Sequence, residues 1–268
     1  MKRILLSVDW DFFFPEHPEW DFSHSEGFHP ALEDALWHSR ASGMLHVGKD
    51  LRELTAAHSS IAPEQFWNEL EALGYDLSGA RIAVAESHKA AAQFFLTTGL
   101  PLGTKILHVD AHHDLGYGSA KELRDYVKKC RVEAGNWLGV LLSMFPHVLA
   151  DVVWPQWKTH VEDDFARAPI SKKVRSRVTS SVWPAPSCTG GKVTDVFVCR
   201  SGAWVPPWHD TAFDTFIEDL SKHTASEATL VESVRERAFS MDAVEKDARI
   251  LRAFHNKLGR ILNNAPSE

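Results

Sequence analysis

Four short apolar runs, RILLSVD (3–9), RIAVAE (81–86), TKILHVD (104–110) and VTDVFVC (193–199), are separated by segments of helical spacing. This alternation constrains the fold more than any other feature of the chain. Runs that are apolar at almost every position suit strands covered on both faces, as in a parallel sheet. Repetition of strand, helix and strand implies βαβ units joined by right-handed crossovers. Helices are expected over 63–73, where Pro63 occupies the first position and Gly74 follows the last, and over 88–96, 119–130 and 135–145. VLADVVW (148–154) reads as a further strand.

Other stretches are less regular. Residues 12–45 are rich in Pro, His and aromatics and read as a long loop or insertion with weak helical character over 30–40. The Trp- and Pro-rich stretch between the strands ending at Trp154 and starting at Val193 has no clear period. Residues 242–262 carry Val244, Ile250, Leu251, Phe254, Leu258 and Ile261 at helical intervals behind a capping box of Asp242 and Glu245, the signature of a long amphipathic packing helix. Without a linker or repeat, the expectation is a single α/β domain over 1–268, a mainly parallel sheet flanked by helices.

Composition narrows the partners. A net charge of −7 with no basic block argues against a nucleic-acid backbone and for a cationic ligand. No run approaches the ~20 apolar residues of a membrane span. Cys130, Cys188 and Cys199 lack CxxC spacing, so they suggest neither a disulfide framework nor a thiolate zinc site. They are expected to be small buried hydrophobes in a cytoplasmic protein.

In an open parallel sheet, ligands bind beyond the carboxyl ends of the strands. Three of the expected strands end there in metal-ligand chemistry: Asp9 and Asp11 in SVDWD, His88 in AESH, and Asp110, His112 and Asp114 in HVDAHHD. Spacing of i, i+2 puts each set on one side of an extended chain. Four carboxylates at one point repel and take up protons unless cations lie between them, and two divalent ions balance four charges. Four Asp and two His without Cys form a hard donor set, better suited to Mn(II) or Fe(II) than to structural zinc.

These residues resemble a known signature. D-A-H-H-D at 110–114, D-W-D at 9–11 and the lone His88 resemble the binuclear manganese site of the ureohydrolase (arginase/deacetylase) superfamily, and their order resembles its peptide-arginase branch. In ordinary arginases D-x-D comes last; here it comes first, as a shifted strand order would require. The resemblance implies two Mn(II), one held by His88, Asp110, Asp114 and Asp9, the other by Asp110, His112, Asp9 and Asp11, with Asp9 and Asp110 bridging. It also implies hydrolysis of arginine side chains in a precursor peptide to ornithine and urea, with Asp114 carrying the proton. Gly135 and Asn136 are similar to a segment that follows D-A-H-x-D in arginases.

The departures matter as much. Gly116 and Ala134 stand where free-arginine arginases grip the substrate's α-carboxylate, and Leu138 stands in place of the proton-shuttling His. Their loss suits an arginine embedded in a peptide. His113 is a candidate for the missing shuttle, and Glu86 a candidate to pair with a guanidinium; a loop His and a solvated acid are the alternatives. His17, His24 and His29 are assigned to the insertion rather than to ligation. The tryptophans Trp154, Trp157, Trp183, Trp204 and Trp208 read mainly as core and loop packing, and secondarily as walls of a peptide groove. Two rival functions use the same residues. A mononuclear zinc deacetylase would leave Asp11 and Asp114 without ligand duty, and a non-catalytic metal-dependent peptide-binding protein would release no urea.

Overall fold

A computed structural model describes residues 3–15, 30–55, 62–187, 190–231, 234 and 236–263. Its centre is one sheet of eight strands: β1 (Arg3–Asp9), β2 (Tyr75–Asp76), β3 (Arg81–Ala85), β4 (Thr104–Val109), β5 (Leu149–Trp154), β6 (Val178–Val182), β7 (Gly191–Cys199) and β8 (Ala228–Leu230). The order is β6-β5-β4-β1-β7-β3-β8, with β2 paired to β7, and every pairing is parallel. The expected α/β architecture is thus the observed one.

The near-continuous apolar text of the strands follows from this arrangement, because each central strand is covered twice. Ile4, Leu6 and Val8 of β1 face a cluster with Phe66 and Trp67 of α3 (Phe66–Ala72) and Phe213 and Phe216 of α9 (Asp210–Thr224). Leu5 faces the other cluster, built with Phe95 of α4 (Lys89–Thr98), Leu123 of α5 (Ala120–Lys128), and Trp137 and Leu141 of α6 (Trp137–Met144). Each such side chain contributes roughly 1.5–3 kcal/mol on leaving water. Ser7 and Asp9 continue the face of Leu5, so β1 carries polar groups toward α4 and α6 at its carboxyl end.

Several expectations are corrected. Within the stretch read as a loop, Pro30–His46 is a helix, α1, followed by the short α2 (Leu51–Leu54). Trp37 and Ala41 of α1 join Leu51 and Val244 in a satellite cluster, so α1 is the partner of the last helix, α10 (Met241–Asn263). α10 starts one residue before the expected capping box, and Ser240 Oγ accepts from Ala243 N at 3.4 Å. Among its described residues, Val244 and Ala248 are buried and Met241 packs beside Val244, whereas Ile250, Leu251, Phe254 and Leu258 are exposed. The unassigned Trp- and Pro-rich stretch contains α7 (Val161–Arg167), α8 (Lys172–Arg175) and β6. Cys199 is buried as expected but Cys130 is exposed, beyond the end of α5; Cys188 lies outside the described residues.

One glycine ties α6 to the loop after β4. Gly139 N donates to Asp114 O at 3.1 Å, and a Cβ at Gly139 would stand 2.4 Å from Leu115 O. Gly139→Ala is therefore expected to lose about 1–3 kcal/mol of stability by overpacking against backbone. Denaturant unfolding checks this; an unchanged midpoint would mean that α6 can move away from the loop.

Candidate metal centre

The carboxyl ends of β4, β1, β7 and β3 lie side by side, and Asp9, Cys199 and Ala85 stand in register across β1, β7 and β3. All six expected ligands meet at this edge. His88, the residue before α4, points Nδ1 at three carboxylates: Asp9 Oδ2 at 2.7 Å, Asp110 Oδ2 at 3.2 Å and Asp114 Oδ2 at 3.4 Å. His112 Nδ1 lies 2.9 Å from Asp11 Oδ2 and 3.6 Å from Asp110 Oδ1. Asp110 thus faces one imidazole with each oxygen. Asp9, Asp110 and Asp114 thus gather around His88, and Asp11 and Asp110 around His112, with Asp9 beside His88 only.

The four carboxylates are 0–4% exposed. Among the described residues, their ion pairs run to imidazoles. Burial, reinforced by Asp9 and Asp110, holds the Asp11 carboxyl well above its ordinary range. Burial and Asp110 do the same to Asp114. Burial also works against ionisation of Asp110, but His108, His112 and His88 outweigh it and hold its carboxyl well below the ordinary range. Burial opposes a charge on His88, yet Asp9 and Asp110 hold its pKa well above the usual value. His112 is likewise raised, with Tyr117 and Asp11 prevailing over burial and Lys158. Without a cation, this cluster keeps protons that water would remove.

Two observations fit divalent ions. Asp11 Oδ2 and Asp110 Oδ2 are buried and make no hydrogen bond, although both face the cluster. Buried polar atoms are rarely left so. In addition, adjacent donors on an octahedral ion with bonds of about 2.1 Å stand about 3 Å apart, which matches the 2.7–3.4 Å spacing around His88 Nδ1. His88, Asp9, Asp110 and Asp114 would hold one ion, and His112, Asp11 and Asp110 the other.

Supporting groups orient these donors. Ser7 Oγ lies 2.9 Å from His88 Nε2, which leaves Nδ1 for the carboxylates. The His88 ring stacks between Trp137 and Phe197. Trp137 Nε1 donates to Asp114 Oδ2 at 2.7 Å, and Ser201 Oγ donates to Asp9 Oδ2 at 2.7 Å. Asp114 and Ser201 both hold φ of 49°, a left-handed conformation uncommon for residues other than glycine and concentrated at functional sites.

The two remaining candidates have other attachments. His113 Nδ1 accepts from Leu115 N at 3.0 Å and its ring stacks on Tyr117. Burial and the neighbouring His112 lower its pKa to about 3, so it is neutral at ordinary pH and suited to shaping the loop. Glu86 is paired with Arg200, with Arg200 Nε donating at 3.2 Å, and it also accepts from Gly202 N at 3.1 Å. Its charge is spent within the protein, and it is not placed to receive a substrate guanidinium.

Sequence reasoning missed Ser7, Trp137, Ser201 and His108. His108 was the most legible of them, because it precedes Asp110 by two residues in an extended segment and must share its face. Trp154 and Trp183 are core residues, as their main reading required. Trp204 instead stands with its ring 5.1 Å from that of His112, whose ring is also 6.4 Å from that of Tyr117. His17, His24 and His29 lie outside the described residues. No helix among the described residues is long and apolar enough to cross a membrane. No family model, curated protein or solved structure matches this chain.

Proposed function

We propose that this protein is a binuclear-metal hydrolase that converts arginine side chains of a peptide to ornithine and urea, using two Mn(II). The observation that carries the reading is Asp110, which presents one oxygen to His88 and the other to His112, so that two donor sets share a carboxylate. The resemblance to the peptide-arginase branch supplies the reaction. A mononuclear zinc deacetylase accounts less well for Asp11, which is buried beside His112 with an unbonded oxygen.

Two divalent ions at such a site would activate water at neutral pH and polarise the substrate. The residues supply the rest. Water adds to the guanidinium carbon, the bond from that carbon to Nε breaks, and urea leaves. Asp114 accepts a proton from the attacking water and passes it to the departing amine nitrogen, with its Oδ2 held in place by Trp137 Nε1. His112 is the most exposed of the ligands, its side chain 20% accessible, so substrate approaches from its side of the site, where Tyr117 and Trp204 are its aromatic neighbours. A net charge of −7 favours a cationic substrate. Scattered cysteines without disulfide spacing suit the cytoplasm as the place of action.

The test is to incubate the metal-loaded protein with an arginine-rich peptide, an acetyl-lysine peptide, agmatine and free arginine. Urea and ornithine are expected from the first. Acetate from the second, or no product from any, would overturn the proposal. Free arginine is expected to be the poorer substrate by about tenfold or more, since a missing charged hydrogen bond costs ~1.5–3 kcal/mol and Gly116 and Ala134 offer none to an α-carboxylate. Equal kcat/KM on free and peptide-bound arginine would contradict that reading of the two positions.

A further inference from the structure

His108 is completely buried at the carboxyl end of β4, on the face that carries Asp110. Its ring meets those of His88 and Trp137 edge-on, with centroids 5.2 and 5.3 Å away. Nε2 lies 3.1 Å from Asp110 Oδ2 and 3.7 Å from Asp114 Oδ2. Yet neither ring nitrogen makes a hydrogen bond, and neither does Asp110 Oδ2. Nε2 thus stands close to both oxygens without meeting full hydrogen-bond geometry to either. A buried imidazole with both nitrogens unbonded is rare, because one of them always carries a proton.

Two unbonded atoms at 3.1 Å have the separation expected of neighbouring donors to one ion. The ligand atoms of His88, His108 and Asp110 also lie within 4.8 Å of one another, close enough to surround a single cation. We propose that His108 Nε2 is a direct donor to the ion held by His88. This inference rests on the metal site described under Proposed function and adds a ligand to it.

The two sites are consequently unequal. One offers two imidazoles, His88 and His108, with Asp9, Asp110 and Asp114; the other offers one imidazole, His112, with Asp11 and Asp110. The nitrogen-rich site favours borderline ions such as Co(II) or Zn(II), and the oxygen-rich site suits Mn(II). A structural histidine would give no such asymmetry.

The experiment uses the full chain with nitrogen-15 histidine, loaded with Co(II), and counts by direct-detected nitrogen NMR the imidazoles whose ring nitrogens carry a contact shift. Three are expected in the unchanged protein, and two in His108→Phe. That variant should bind its first cobalt at least about tenfold more weakly and its second within about twofold of normal. Two shifted imidazoles in the unchanged protein with two cobalt ions bound would overturn the assignment while leaving the binuclear site intact. Failure to bind any cobalt would overturn both. The count in the unchanged protein decides the matter even if His108→Phe does not fold.

Discussion

Asp110→Asn is expected to remove both ions and with them the activity. Asp110 is the carboxylate that faces both His88 and His112, and its own ionisation is favoured by the imidazoles around it. An amide carries no charge, keeps one acceptor, and presents an N–H pair toward one of the two donor sets. Replacing groups that merely orient a ligand costs 10–100-fold in metal affinity, so loss of a shared ligand should cost at least about 100-fold at each site. Asp11→Asn provides the contrast. Asp11 lies against His112, and its replacement should release one ion and spare the other. Metal content after dialysis, measured beside circular dichroism to verify folding, separates the two variants. Retention of two ions with full activity in Asp110→Asn would sink the assignment of the site.

Why the sequence announced some of this and hid the rest follows from where each signal resides. Covered strands write a continuous apolar text, so β1, β3, β4, β5 and β7 could be read directly. The strand ends placed Asp9 and Asp110, but the extended i, i+2 spacing expected beyond them does not hold: Asp11 lies in a 3-10 turn (Trp10–Phe13) and Asp114 has φ of 49°, so turns and not strand alternation bring these side chains together. Strand order is different: nothing local in VTDVFVC states that β7 inserts between β1 and β3, and only that insertion brings Ser201 to Asp9. β6 reads VTSSV and lies at an edge, where exposure removes the apolar pattern. α1 buries few side chains, chiefly Trp37 and Ala41, so its period was too sparse to separate from loop text. The stripe on α10 was real, but a stripe does not say how far its partner extends, and α1 ends at His46, where Arg252 of α10 donates to its carbonyl at 3.1 Å. Glu86 misled for a related reason: a strand-end acid aimed toward a site can be neutralised by an arginine over a hundred positions away, here Arg200.

Removing metal is expected to reverse the pH dependence of stability between about pH 6.5 and 8.5. In the metal-free protein His88, His112, Asp11 and Asp114 all have raised pKa values. A raised group keeps its proton in the folded state after the unfolded chain has released it. Its contribution is therefore full below the unfolded pKa and disappears as pH climbs through the folded one. Unfolded histidine releases its proton near 6.5 and aspartate near 4, so His88 and His112 make the metal-free protein less stable as pH rises above about 6.5, and Asp11 and Asp114 begin to do so above about 4. His108 and His113 are shifted downward and act in the opposite sense, but only below ~6.5, where the unfolded chain protonates first. Asp110, also lowered, acts only below ~4. Metal binding requires the same ligands deprotonated, so the stabilisation from bound ions grows with pH as protons cease to compete. One proton displaced corresponds to about 1.4 kcal/mol per pH unit, or roughly 3–5 °C in Tm for a domain of this size. Melting curves in EDTA should thus fall with pH while those in excess Mn(II) hold or rise, and the gap should widen by at least that amount per unit. Activity should follow the same competition, rising from about pH 6 to a plateau above about pH 8, with an acid limb that moves to lower pH as Mn(II) is increased. Parallel melting curves, or an acid limb indifferent to Mn(II), would show that protons and metal do not compete for these residues.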